Sequence, residues 1–186
     1  MDKLNKRYEE LKSKVVERKA EFNALMNYLE TETSWLTAPA SSRFHLSTER
    51  GLLEHSCNVA ETMLKLKETL APGIKDESCV IVALLHDLGK AGMPGEAQYL
   101  EGDKGSYRYN YKLTYLSVPI RGIYLILPYL QLTEDEVQAI VYHDGQYVDD
   151  NASVATRETP LTLLLQYADT WCGFILEKRK WTVNEL

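Results

Sequence analysis

Several things are scarce in this 186-residue chain, and each scarcity narrows what it can be. Cysteine occurs three times, as Cys57, Cys79 and Cys172, an odd number with no Cys-x-x-Cys spacing. That pattern reads as thiols buried as small hydrophobes in a reducing compartment rather than as a disulfide framework, so the cytoplasm is the expected location. Long apolar runs are also missing. The longest, Val80-Ile81-Val82-Ala83-Leu84-Leu85, falls far below the roughly 20 residues a membrane span needs. The opening segment MDKLNKRYEELKSKVV is charged and periodic and lacks the apolar centre of a signal peptide. Positive charge is in deficit, with 21 Lys and Arg against 27 Asp and Glu and a net charge of −6. Affinity for long nucleic acid comes mostly from neutralised phosphates, so no long nucleic acid and no membrane are expected as partners, while a small phosphorylated molecule in a local pocket is compatible.

With 45% hydrophobic and 26% charged residues, the chain fits one domain over residues 1–186 with a substantial core. Residues 3–30 predict one long helix, because Tyr8, Leu11, Val15, Arg18, Phe22, Leu25 and Leu29 recur at steps of three and four. Such a stripe lies across the core or forms a homodimer seam. Residues 31–49 read as an ordered loop rich in Ser, Thr, Ala and Pro. A second helix is predicted from Gly51 to about Leu70. A third begins at Asp76, a candidate N-cap, and stops near Gly89. Tyrosines at 107, 109 and 111 alternate near the turn-forming Gly102-Asp103-Lys104-Gly105, which predicts a small β-hairpin over about residues 98–112. A fourth helix covers Val118 to about Leu130. The fifth opens on the box Thr133-Glu134-Asp135-Glu136 and runs to about His143. The sixth opens on Thr159-Pro160 and runs to about Lys180. The expected fold is all-α, a bundle of about six helices with one hairpin.

Histidine is scarce too, with four in the chain, so the positions are informative. His55 shares a helical face with Val59 and Met63 and points inward; alone it reads more readily as a hydrogen-bonded core residue than as a ligand. His86-Asp87 directly follows six apolar residues, and burying an imidazole and a carboxylate without a partner is costly. A divalent cation satisfies both. Asp169 stands mid-helix on the face of Leu161 and Leu165 with no basic residue near it in sequence; the competing reading is a buried pair with a distant arginine.

The order His55 … His86-Asp87 … Asp169 resembles the HD-domain superfamily of metal-dependent phosphohydrolases, on the strings Gly51-Leu-Leu-Glu-His55-Ser, Leu84-Leu-His-Asp-Leu-Gly-Lys90 and Tyr167-Ala-Asp169. The motif-bearing stretch runs from about residue 39 to 175. The resemblance implies a helical core in which these four residues bind one divalent ion, such as manganese, nickel, cobalt, iron or magnesium. It further implies cleavage of phosphomonoesters or phosphodiesters, commonly in nucleotides. Asp87 then gains a second task on the attacking water, and Lys90 becomes a phosphate contact rather than a surface lysine.

The chain departs from the family pattern in two places. A histidine expected near Tyr115-Leu116-Ser117 is missing, which favours one ion, with His143 facing substrate or a weak second ion. The loop Ala38-Pro39-Ala40-Ser41-Ser42-Arg43-Phe44-His45 resembles a segment that usually carries paired histidines and a second glycine; here Leu46 and Arg50 stand instead. Arg43 and His45 remain candidate substrate contacts. The tyrosine-rich hairpin reads as a lid that stacks on a base or as a ribbon covering the bundle. Cleavage of cyclic or linear dinucleotides and a non-catalytic nucleotide-binding module are the rival readings.

Overall fold

The structure, a computed structural model, describes residues 2–177 apart from the side chains of Lys104 and Tyr147. The single helix expected over residues 3–30 is instead two, α1 (Lys3–Lys12) and α2 (Lys19–Glu32). Arg18, the one charged member of the stripe, is the reason for the break. Its Nε donates to Glu77 at 2.7 Å, and its Nη1 and Nη2 donate to Glu136 at 2.7 and 2.6 Å. Both carboxylates are buried, with side chains 6% and 0% exposed, and would be stranded without a cation. Glu77 also accepts from the backbone N–H groups of Val16 and Glu17, at 2.7 Å each. A continuous helix would bond those donors to its own carbonyls, so the carboxylate and the helix compete for them, and the carboxylate wins.

The rest of the stripe is core. Tyr8, Leu11, Val15, Phe22, Leu25 and Leu29 are each at most 3% exposed within the chain's own apolar cluster. Of the two readings of this stripe, core or homodimer seam, the chain's own packing covers the face as core. Two N-terminal helices in place of one make the α-helices seven among the described residues, where about six were expected.

α3 (Gly51–Leu70) has the bounds its sequence predicts and packs against α4 (Asp76–Leu85), α7 (Pro160–Trp171) and α1. Lys75, rather than Asp76, caps α4, and Asp76 sits in the first turn, where a carboxylate meets the positive end of the helix dipole. Val80 through Leu85 have no exposed surface, as a helix apolar on every side requires. Burial of each such Val, Leu or Ile contributes about 1.5–3 kcal/mol.

After α4 the chain tightens into a 3-10 turn, Leu88–Ala91. A side chain at Gly89 would collide with the carbonyl of Val118, so this glycine lets α5 (Val118–Ile126) lie directly on the turn. Between them stands the expected hairpin, with β1 (Tyr99–Glu101) antiparallel to β2 (Tyr107–Tyr109) and Tyr99 opposite Tyr109. α5 stops at Ile126, short of Leu130. α6 (Glu134–Val141) opens on the predicted capping box and ends two residues before His143. α7 is capped by Thr159 with proline at its first position, then widens into a π-helical turn, Cys172–Leu176. The described helical turns stop at Leu176, and the expected end at Lys180 lies outside the described residues. No described helix is long and apolar enough to cross a membrane.

Candidate metal centre

Two helix ends, those of α4 and α6, and two helix interiors, those of α3 and α7, converge on one point. His86 follows α4 directly, and its Nδ1 lies 2.8 Å from the carbonyl of Ala83. His143 follows α6, and its Nδ1 lies 2.8 Å from the carbonyl of Ile140. A carbonyl can only accept, so both Nδ1 atoms carry the proton; the Nε2 of His86 is left facing the centre as an acceptor, while the Nε2 of His143 faces the carboxylate of Asp87. The same device, a histidine three residues past the carbonyl it grips, is used at two helix ends. In both places the next residue is aspartate.

Asp87 sits between them. Its Oδ2 is 3.5 Å from His86 Nε2 and 3.7 Å from His55 Nε2, and its Oδ1 is 3.5 Å from His143 Nε2. Lys90, three residues on, places its ammonium 2.5 Å from Asp87 Oδ2. From α3, the buried His55 points Nε2 at Asp169 Oδ1 of α7, 3.0 Å away. Asp169 Oδ1 is also 3.8 Å from His86 Nε2. The imidazole rings form a row, with centroids 4.8 Å apart for His45–His55, 5.3 Å for His55–His86 and 4.8 Å for His86–His143.

The electrostatics follow from burial and from these neighbours. Burial holds His86 down, to about 4 despite Asp87 beside it, so its imidazole is neutral at ordinary pH. Burial acts in the same direction on His55 and His143 but is overcome there. The carboxylates of Asp169 and Glu177 raise His55 to about 10, and Asp87 and Asp144 raise His143 to about 9. Burial would push the Asp87 and Asp169 carboxyls up, yet the cations around them win. Lys90 and the histidines hold Asp87 well below the usual range, and His55 with its neighbours does the same for Asp169.

His86 Nε2 tests whether these residues suit a cation. It is fully buried, has no hydrogen-bond partner, and has carboxylate oxygens of Asp87 and Asp169 at 3.5 and 3.8 Å. A neutral nitrogen lone pair beside two ionised carboxylates is a donor set for a divalent ion and otherwise an unpaid desolvation of a polar atom. His55, His86 and Asp169 form one group with ligand atoms within 4.8 Å of one another, and His86, Asp87 and His143 form a second. His86 offers only Nε2, since Nδ1 is engaged, so the two groups compete for one nitrogen.

Glu177 was not anticipated. Both of its oxygens lie 3.0 Å from His55 Nδ1, its side chain is 2% exposed, and Asn58 Nδ2 holds it at 2.9 Å. Eight residues of α-helix would leave Glu177 about 80° around the axis from Asp169. The π-helical turn absorbs roughly one residue, which brings the offset to about 20° and turns both carboxylates toward His55. Periodicity in the sequence carries no sign of such a turn. His45 joins the edge of the cluster, with Nε2 buried, unpartnered and 3.7 Å from Glu177 Oε2. Arg43 is exposed and, among the described residues, makes no hydrogen bond or ion pair with the cluster.

A family model for the HD domain matches residues 52–171, about two thirds of the chain. The chain belongs to the HD domain family, a family of metal-dependent hydrolases, and its buried histidines and aspartates could hold a divalent metal. No curated protein and no solved structure matches it. His45 and Glu177 lie outside the matched residues.

Proposed function

We propose that the chain is a phosphohydrolase in which His55, His86, Asp87 and Asp169 hold one divalent ion, and that it cleaves a phosphate ester of a nucleotide or a similar small molecule. The observation that carries this reading is His86 Nε2, a buried, neutral, unpartnered nitrogen between two carboxylates. When bound, such an ion supplies Lewis acidity, lowering the pKa of water and offsetting charge that develops on phosphorus.

The chain's own groups do the rest. Water oxygen forms the new bond to phosphorus, the ester P–O bond breaks, and the leaving oxygen takes the proton that the water gives up. Asp87 Oδ1, facing His143 rather than Lys90, orients the attacking water by accepting its hydrogen bond. Lys90, with a side chain 18% exposed, presents its ammonium to the same centre and neutralises phosphate oxygens. Glu177 fixes the tautomer of His55 so that Nε2 faces Asp169, a positioning task rather than a chemical one.

His143 favours a second reading. It converges with His86 and Asp87, so a second ion and a dinucleotide diester would use that group. The competition for His86 Nε2 speaks for the single ion. The test is a screen of phosphate mono- and diesters with each of the five metals, using His86→Ala and Asp87→Ala as controls. Activity that appears with a metal and disappears in both controls is expected. A wild type inert with every metal, or controls that retain activity, would overturn the reading.

A further inference from the structure

Arg121 of α5 is 3% exposed, yet among the described residues no carboxylate forms an ion pair with it. Nη1 donates to the carbonyl of Gly89 at 3.4 Å and to the side-chain oxygen of Gln98, and Nη2 donates to the carbonyl of Thr114 at 3.0 Å. All three acceptors are neutral, and Nε has no acceptor at all. Arg18 and Lys90, by contrast, each meet a carboxylate. A buried guanidinium with donors to spare is matched by the fold only in part.

Arg121 lines a cavity of about 830 Å³ between the hairpin, the start of α5 and the loop after α6. That volume suits a small molecule. Tyr109, Tyr111 and Tyr115 also line it, and these residues are 48%, 91% and 89% exposed. Two of its lining residues, Arg121 and Asp144, reach from the cavity to the His–Asp cluster. Gly89, which Arg121 grips, lies between Asp87 and Lys90 in the chain, and Asp144, another lining residue, is 3.7 Å from His143 Nε2.

The charges in the lining decide what fits. The lining carries one guanidinium, Arg121, and two carboxylates, Asp144 and Asp150, so a further phosphate would meet more repulsion than attraction. A flat, neutral group with acceptor atoms for the guanidinium, N–H or O–H donors for the carboxylates and a π-face for the tyrosines satisfies every lining group. Nitrogen heterocycles of the purine and pyrimidine kind carry all of these.

We propose that this cavity is the subsite for the heteroaromatic ring of the ester and that Arg121 is its specificity-determining residue, donating to acceptor atoms of the ring. The inference rests on the phosphohydrolase reading only in taking the ring to be part of the substrate; binding of the ring itself requires neither an ion nor hydrolysis.

The test is titration of free adenosine, guanosine, cytidine and uridine into the full chain, followed by NMR, with ribose 5-phosphate as the ringless probe. At least one nucleoside is expected to bind more tightly than ribose 5-phosphate. Tyr111→Ser, at a site too exposed to matter for folding, should weaken it about fivefold or more. Arg121→Lys should change the rank order of the four bases. Nucleosides that bind no better than ribose 5-phosphate would overturn the proposal, as would a Tyr111→Ser variant that binds them like the wild type. If esters are cleaved whatever their ring and nucleosides do not bind, the subsite falls and the hydrolase stands. If nucleosides bind with this sensitivity and no ester is cleaved, the subsite stands and the hydrolase falls.

Discussion

Replacing Glu177 by glutamine removes a negative charge from the back of His55 while keeping the side chain's volume. In the wild type, Glu177 Oε1 serves both His55 Nδ1, at 3.0 Å, and Asn58 Nδ2, at 2.9 Å, with Oε2 also 3.0 Å from the ring. Glutamine keeps one acceptor oxygen but sets an NH2 donor in place of Oε2, 3.0 Å from His55 Nδ1, so donor faces donor there, and the remaining bonds are no longer charge-assisted. A hydrogen bond to a charged group contributes about 1.5–3 kcal/mol against about 1 kcal/mol for a neutral one. The side chain is 2% exposed, so solvent does little to screen the loss. The expected result is Mn²⁺ binding weakened about 10- to 100-fold, the range found when outer partners of metal-bound histidines are removed. Isothermal titration of Mn²⁺ reads this directly, and the unfolding temperature of each protein shows that the variant is folded. A folded Glu177→Gln chain that binds Mn²⁺ within about twofold of wild type would refute the positioning role.

Arg18→Met strands two buried carboxylates and should cost about 3–5 kcal/mol in urea unfolding; a loss below about 1 kcal/mol would match a surface pair instead. The acid response of the same network has a definite sign. Burial raises Glu77 and Glu136, but Arg18 and backbone N–H groups hold both below their ordinary 4.5 in the folded chain. Their stabilisation is therefore present above pH 4.5 and lost as pH falls through the lower folded values. In Arg18→Met the folded values rise, and the gap in stability from wild type should narrow as the solution is acidified. A gap that is constant from neutral pH down to acid would contradict this. His143→Gln should leave the number of bound ions per chain unchanged, measured by elemental analysis after desalting; loss of an ion would assign the group of His86, Asp87 and His143 to a second metal.

Much of this architecture was legible because local signals and burial agree. The bounds of α3, the capping box of α6, the Thr159-Pro160 start of α7 and the hairpin are as expected, since each rests on turn or cap chemistry that neighbouring residues supply. The His-Asp pair and Asp169 stand out because a charged residue in an apolar run needs a reason. The split of α1 from α2 was hidden for the opposite cause. Glu77 and Glu136 lie 59 and 118 residues from Arg18, and a stripe of apolar residues says nothing about such partners. Glu177 was hidden by the π-helical turn, which shifts the register that helical periodicity assumes. Arg121 was hidden because nothing local marks an arginine whose partners are carbonyls of other segments.

The central claim is that His55, His86, Asp87 and Asp169 hold one divalent ion. Its most direct measurement is the stoichiometry and affinity of Mn²⁺ for the chelator-stripped chain, compared with His86→Gln. The account predicts one tightly held ion per wild-type chain and its loss in the folded variant, where the one free nitrogen between the two carboxylates is gone. A folded His86→Gln chain that binds the ion as the wild type does, or a wild type that binds none, would contradict it.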